Sequence, residues 1–152
     1  MHTNPGKAIF GGFVGTVVMT LMMYFVAPMM LGGPMDVAAM LGGLLGGSWI
    51  MGMLMHLLNG IVIFPLIYAY LAYRLLPGDP WVKGTILGLI LWFLSQAVVT
   101  PMMGGGMFSA KAGGLMAVMA SLIGHIIYGA LLGVLAGAAE GASTSPRVQA
   151  AR

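Results

Sequence analysis

Residues 48–73 read SWIMGMLMHLLNGIVIFPLIYAYLAY. This stretch holds no Asp, Glu, Lys or Arg, and its only imidazole is His56. A helix that crosses a hydrocarbon core about 30 Å thick needs about 20 predominantly apolar residues, and this run exceeds that length. It shows no alternation of period two, which excludes a barrel strand. The reading is a transmembrane helix, and its pattern recurs along the chain.

The charged residues are Lys7, Asp36, Arg74, Asp79, Lys83, Lys111, Glu140, Arg147 and Arg152. Between them lie four long uncharged runs, read as helices at Ala8–Leu31, Ser48–Tyr73, Gly84–Met103 and Leu115–Ala139. The chain of 152 residues is 60% hydrophobic and 6% charged, with 25 glycines, 16 methionines and no cysteine. A soluble domain carries about 25% charged residues to clothe its surface. This composition excludes soluble enzymes, secreted disulfide scaffolds and disordered chains. Six basic residues spread over the whole length make no patch for nucleic acid. The expected fold is an all-α integral membrane protein, a bundle of four transmembrane helices in contact with the lipid bilayer.

Four spans return both termini to one side. That side holds Lys7, Arg74, Lys83, Arg147 and Arg152 and leaves Lys111 opposite, so the bias of basic residues predicts cytoplasmic termini in a multi-pass inner (cell) membrane protein. Trp49 and Trp81 fall at opposite interfaces, as an aromatic belt requires. A lysine followed by a run of full span length, with no Ala-x-Ala site, predicts that the first helix is retained. Residues 1–139 read as a single membrane domain. The polar tail 140–152 (EGASTSPRVQAAR) reads as disordered.

The chain resembles itself. Pro28-Met29-Met30, Gly32-Gly33-Pro34-Met35 and Ala38 match Pro101-Met102-Met103, Gly104-Gly105-Gly106-Met107 and Ala110. Gly42-Gly43 matches Gly113-Gly114, and His56…Gly60 matches His125…Gly129. Features in the same order predict a tandem duplication of a helical hairpin, 7–76 and 81–139. Each half has an even number of spans, so the repeats are parallel, related by an axis along the membrane normal. The P-M-M-x-G-G and H-x-x-x-G signatures on a four-span chain resemble an uncharacterised family of small bacterial membrane proteins. That resemblance implies a fold and no functional residues.

Equivalent residues of parallel repeats share a depth, which directs attention to His56 and His125. At 1.5 Å per residue both lie roughly 12–15 Å from the same end of their helices. In an up-down-up-down bundle their helices are diagonal, about 11–14 Å apart, so both imidazoles can address one centre. Each stands among small residues one turn away: Gly52 and Gly60 around His56, Ser121 and Gly129 around His125. Such a groove lets helices approach closely or clears space for a flat macrocycle. A b-type haem ligated by both histidines satisfies the second reading. The plainer alternative is a histidine that only hydrogen-bonds a carbonyl, Asn59, Gln96 or a serine.

Every methionine except Met1 falls in the half of the bundle away from the termini. Thioether sulfur is a soft ligand for Cu(I), and Met22, Met55 and Met119 with His56 are the candidate set. Methionine also fills gaps against glycine-rich backbone. The loops 31–47 and 104–114 are apolar, and Pro34 with Asp36 predicts a short helix running to Leu41, a lid on the bundle or a dock for a larger partner. No carboxylate lies within a span, which argues against a proton- or sodium-coupled transporter. No nucleophile-base set or phosphate loop is present. The expectation is a non-catalytic accessory or electron-transfer subunit of a membrane, respiratory complex, or a homo-oligomer. Copper handling and a ligand-free structural role are the alternatives.

Overall fold

The computed structural model describes residues 3–137, so the expected tail 140–152 lies outside the described residues. Among the described residues four helices are long and apolar enough to cross a membrane: α1 (Pro5–Leu31), α3 (Trp49–Leu75), α4 (Pro80–Met102) and α5 (Gly114–Ala136). A short helix α2 (Val37–Gly43) stands between α1 and α3. The end at which α1 begins is called proximal below, and the opposite end distal.

Local chemistry sets the helix starts. The Asn4 side chain accepts the Lys7 N–H ahead of α1, and Pro5 supplies a first residue that needs no N–H partner. Asp36 caps α2 by accepting the Ala39 N–H at 2.9 Å, and Ser48 caps α3 through the Met51 N–H. The short distal helix expected from Pro34 therefore forms, but begins after its Asp36 cap. Outward faces carry Phe10, Phe25, Leu54, Phe93 and Leu115, all exposed, as lipid contact requires.

Three prolines shape the spans. Proline has no N–H and crowds the carbonyl four residues back. Just before Pro28, Pro65 and Pro101 the helix widens by one residue, over Met22–Val26, Asn59–Ile63 and Ser95–Val99. In each case the residue preceding the proline donates to the carbonyl five residues back: Ala27 to Met22, Phe64 to Asn59, Thr100 to Ser95. The next carbonyl in line then faces a proline and has no intrahelical donor. In hydrocarbon such an orphan is costly without a partner, and two of the three are answered from outside their helix. The Met23 carbonyl accepts the Met35 N–H of the distal loop at 3.1 Å. The Gly60 carbonyl accepts the Tyr128 hydroxyl at 2.7 Å, across the diagonal of the bundle.

The proximal half is solid. Ala8, Tyr68, Ala69, Leu87, Leu132 and Ala136 form its core. Helix α5 lies against both α1 and α4, and a Cβ at Gly84 or Gly129 would strike the carbonyl of the other. Contact between α3 and α4 gathers near this end, where the Tyr68 hydroxyl donates to the Pro80 carbonyl and the Lys83 ammonium to the Tyr73 carbonyl. Distally the helices part.

The Tyr128–Gly60 bond yields a first test. Interhelical hydrogen bonds in membranes average about 0.6 kcal/mol, because the unfolded state finds partners too. Here Pro65 denies Gly60 its local donor, so Tyr128→Phe is expected to cost about 1–2 kcal/mol in detergent unfolding. In a Pro65→Ala background, which restores a donor N–H, the same substitution should cost less than half as much. Equal costs in both backgrounds would contradict the account.

Candidate functional site

The distal halves of the four spans line an open cavity of about 930 Å³, to which α2 and the loop ahead of α5 also contribute. That volume lies within the range of about 300–1,000 Å³ typical of small-molecule and cofactor sites. The walls are mainly apolar, with eight methionines on them: Met19, Met22, Met23, Met30, Met35, Met40, Met103 and Met116. The polar groups on the wall include His56, Asn59, Gln96, Ser109, Ser121 and His125. Tyr128 and Gly60 also border it, so the bond that answers Pro65 contributes to its proximal wall.

Both histidines line this one cavity, and the partners of each fix its neutral tautomer. His125 Nδ1 lies 2.8 Å from the Ser121 carbonyl. A carbonyl only accepts, so Nδ1 carries the proton and Nε2 keeps its lone pair. His56 Nε2 lies 2.9 Å from Thr20 Oγ1. The Thr20 hydroxyl already donates to the Thr16 carbonyl at 2.7 Å, so its oxygen accepts from His56, whose proton sits on Nε2. Each ring is held by one nitrogen and keeps a lone pair on the other. Thr20 gave no sign in the sequence, since a threonine on an apolar helix reads as packing.

The small residues beside the histidines divide. Gly60 and Ser121 border the cavity. Gly52 and Gly129 do not, because helix backbone occupies the space above them. A Cβ at Gly52 would meet the Ala38 carbonyl of α2, and one at Gly129 the Gly84 carbonyl of α4. Close approach, not clearance for a macrocycle, accounts for glycine at these two positions. The methionine set divides as well. Met22 faces the cavity, while Met55 and Met119 lie on the outer surface, 36% and 40% exposed, and do not line it. The structure does not gather the candidate trio.

The family of unknown function DUF6789 matches residues 2–147. The chain belongs to that family. No curated protein and no solved structure matches it. What the cavity can do in this DUF6789 chain therefore rests on its own groups.

One of these groups holds the distal wall together. The Asp36 carboxylate, which also borders the cavity, accepts the Tyr24 hydroxyl of α1 at 2.7 Å, the Trp49 indole N–H of α3 at 3.0 Å and the Ala39 N–H of α2. One side chain thus ties three helices. Partial burial pushes its pKa up, but the hydrogen bonds from Ala39, Tyr24 and Trp49 outweigh this and hold it below the ordinary carboxylate value. The folded value is depressed, so the stabilisation is complete above about pH 4, the ordinary unfolded value. It drains away as pH falls through the lower folded value. The thermal midpoint in detergent should therefore fall with acidification below about pH 4, and Asp36→Asn should lower the midpoint at neutral pH and flatten that fall. An unchanged acid limb in Asp36→Asn would contradict this assignment.

Proposed function

We propose that this chain is a non-catalytic membrane subunit that holds one b-type haem in the distal cavity between His56 and His125, and so serves electron transfer within a larger membrane assembly. The observation that carries the reading is the pair of imidazoles on one cavity, each oriented by a hydrogen bond through one nitrogen and keeping a lone pair on the other. A histidine that ligates a metal commonly donates its other N–H to a carbonyl, as His125 does to Ser121. Haem iron takes such ligands, and an apolar wall with few polar groups suits the macrocycle.

The finer topology belongs to the same proposal. The widened turns of α1 and α4 each begin six residues before their proline, at Met22 for Pro28 and at Ser95 for Pro101. The turn of α3 has the same offset from Pro65 and α5 has none, so the support for two tandem hairpins, 7–76 and 81–139, is the shared Pro-Met-Met motif that follows the turns of α1 and α4. The bias of basic residues supports cytoplasmic termini in an inner membrane of bacterial type. A larger membrane complex, or a second copy, is the partner this reading implies.

Copper is the second reading, favoured by the eight thioethers on the cavity wall. Met22 with His56 is the part of the original set that supports it.

The test is a reduced-minus-oxidised spectrum of the protein purified in mild detergent. Wild type should show sharp alpha and Soret bands. His125→Ala should abolish them while the protein still inserts, and His56→Ala should keep a Soret band shifted toward a five-coordinate, high-spin form. A flat wild-type spectrum after supply of haem would overturn the haem reading. Copper that copurifies with wild type and is lost in Met22→Leu would then favour the second.

A further inference from the structure

The haem reading leaves one requirement open, a partner for the carboxyl groups at the rim of the macrocycle, which cannot sit unpaired in an apolar cavity. The cavity wall holds two amides, Asn59 and Gln96, and of these Gln96 is the one in a hydrogen bond to a second buried side chain. Gln96 is 3% exposed, stands in the widened turn of α4 and borders the cavity. Its Oε1 accepts the Ser109 hydroxyl at 2.8 Å, and Ser109 is equally buried. With Oε1 turned to Ser109, the two N–H donors of Nε2 have no hydrogen-bond partner among the described residues. Among the described residues no fully enclosed side-chain nitrogen or oxygen lacks a partner. Nε2 is therefore not sealed in apolar packing, and the open space that Gln96 borders is the cavity.

The loop that presents Ser109 is held in a costly conformation. Phe108 and Ser109 both adopt positive φ, 47° and 54°, in the left-handed region that non-glycine residues seldom occupy. The Phe108 ring packs edge-on against Trp92 and Phe93 of α4, each at 6.1 Å. Strain of this kind persists where surrounding contacts over-determine it, and it concentrates at ligand sites. The residues that bear it here are those that orient Gln96. At 1.5 Å per residue, Gln96 lies about 9 Å below the distal end of α4, whereas His125 lies about 16 Å below that of α5. The free amide thus stands on the distal side of the His125 level.

We infer that Gln96, oriented by Ser109, is the specificity residue of the cavity and donates its amide N–H groups to a carboxylate oxygen of the occupant, a haem propionate. This assignment rests on the haem reading. A hydrogen bond to a charged oxygen distinguishes a free acid from its ester by about tenfold or more.

The experiment is titration of purified protein with haem b and with its dimethyl ester, followed at the Soret band. Wild type should bind both and prefer the free acid by about tenfold or more. Gln96→Glu keeps an acceptor for Ser109 but removes the two donors and sets a carboxyl group against a carboxylate. It should lose the preference while still binding the ester. Gln96→Leu should also lose it, and serves if the glutamate variant fails to fold. Binding of both forms by wild type, with the preference absent or unchanged in the folded variants, would overturn the Gln96 assignment and leave the haem reading standing. Failure of wild type to bind either form would overturn both.

Discussion

Proline in a lipid-embedded helix creates a carbonyl that water cannot satisfy, and much of this structure follows from how those carbonyls are answered. Pro28 leaves the Met23 carbonyl without a helical donor, and the backbone of the distal loop supplies one from Met35. Pro65 does the same to Gly60, and the Tyr128 hydroxyl reaches across the bundle to answer it. One proline thus fastens a loop to α1 and another joins diagonal helices. The groups that answer them lie beside or on the wall of the cavity, so the backbone chemistry of the spans and the shape of the site are one problem.

The two halves of the bundle use different packing. Proximally, glycines bring α4 and α5 to backbone contact and the core closes around Tyr68 and Leu132. Distally, α3 and α4 separate, and a cavity lined by methionines, the imidazoles of His56 and His125 and the amides of Asn59 and Gln96 takes the place of a core. Asp36 gathers α1, α2 and α3 at that end with three donors on one carboxylate. A tight base with a braced rim holds a hollow that lipid-embedded packing would otherwise tend to close.

Much of this was legible in the sequence, for identifiable reasons. Charge-free runs gave the four spans within a few residues, and Pro34 with Asp36 announced the distal helix. The sequence pointed to His56 and His125 as a pair, and both line one cavity. The small residues beside them were harder, because period-four glycine reports close approach without saying what approaches. At Gly52 and Gly129 it is another helix. Thioether chemistry carries no facing information, so Met55 and Met119 were grouped with Met22 although they lie on the outer surface. The Gln96–Ser109 pair depends on left-handed backbone at Phe108 and Ser109, which no residue preference would suggest. The one available signal was a glutamine inside an otherwise apolar span.

The central claim is that His125 is held through Nδ1 and offers the Nε2 lone pair to the cavity, while His56 is held through Nε2. The direct measurement is the nitrogen-15 spectrum of histidine-labelled, ligand-free protein in lipid, assigned with single His56 and His125 variants. The account predicts a proton on Nδ1 alone for His125 and on Nε2 alone for His56. A proton on Nε2 of His125 would contradict it, because the remaining lone pair, on Nδ1, would then face the Ser121 carbonyl and not the cavity.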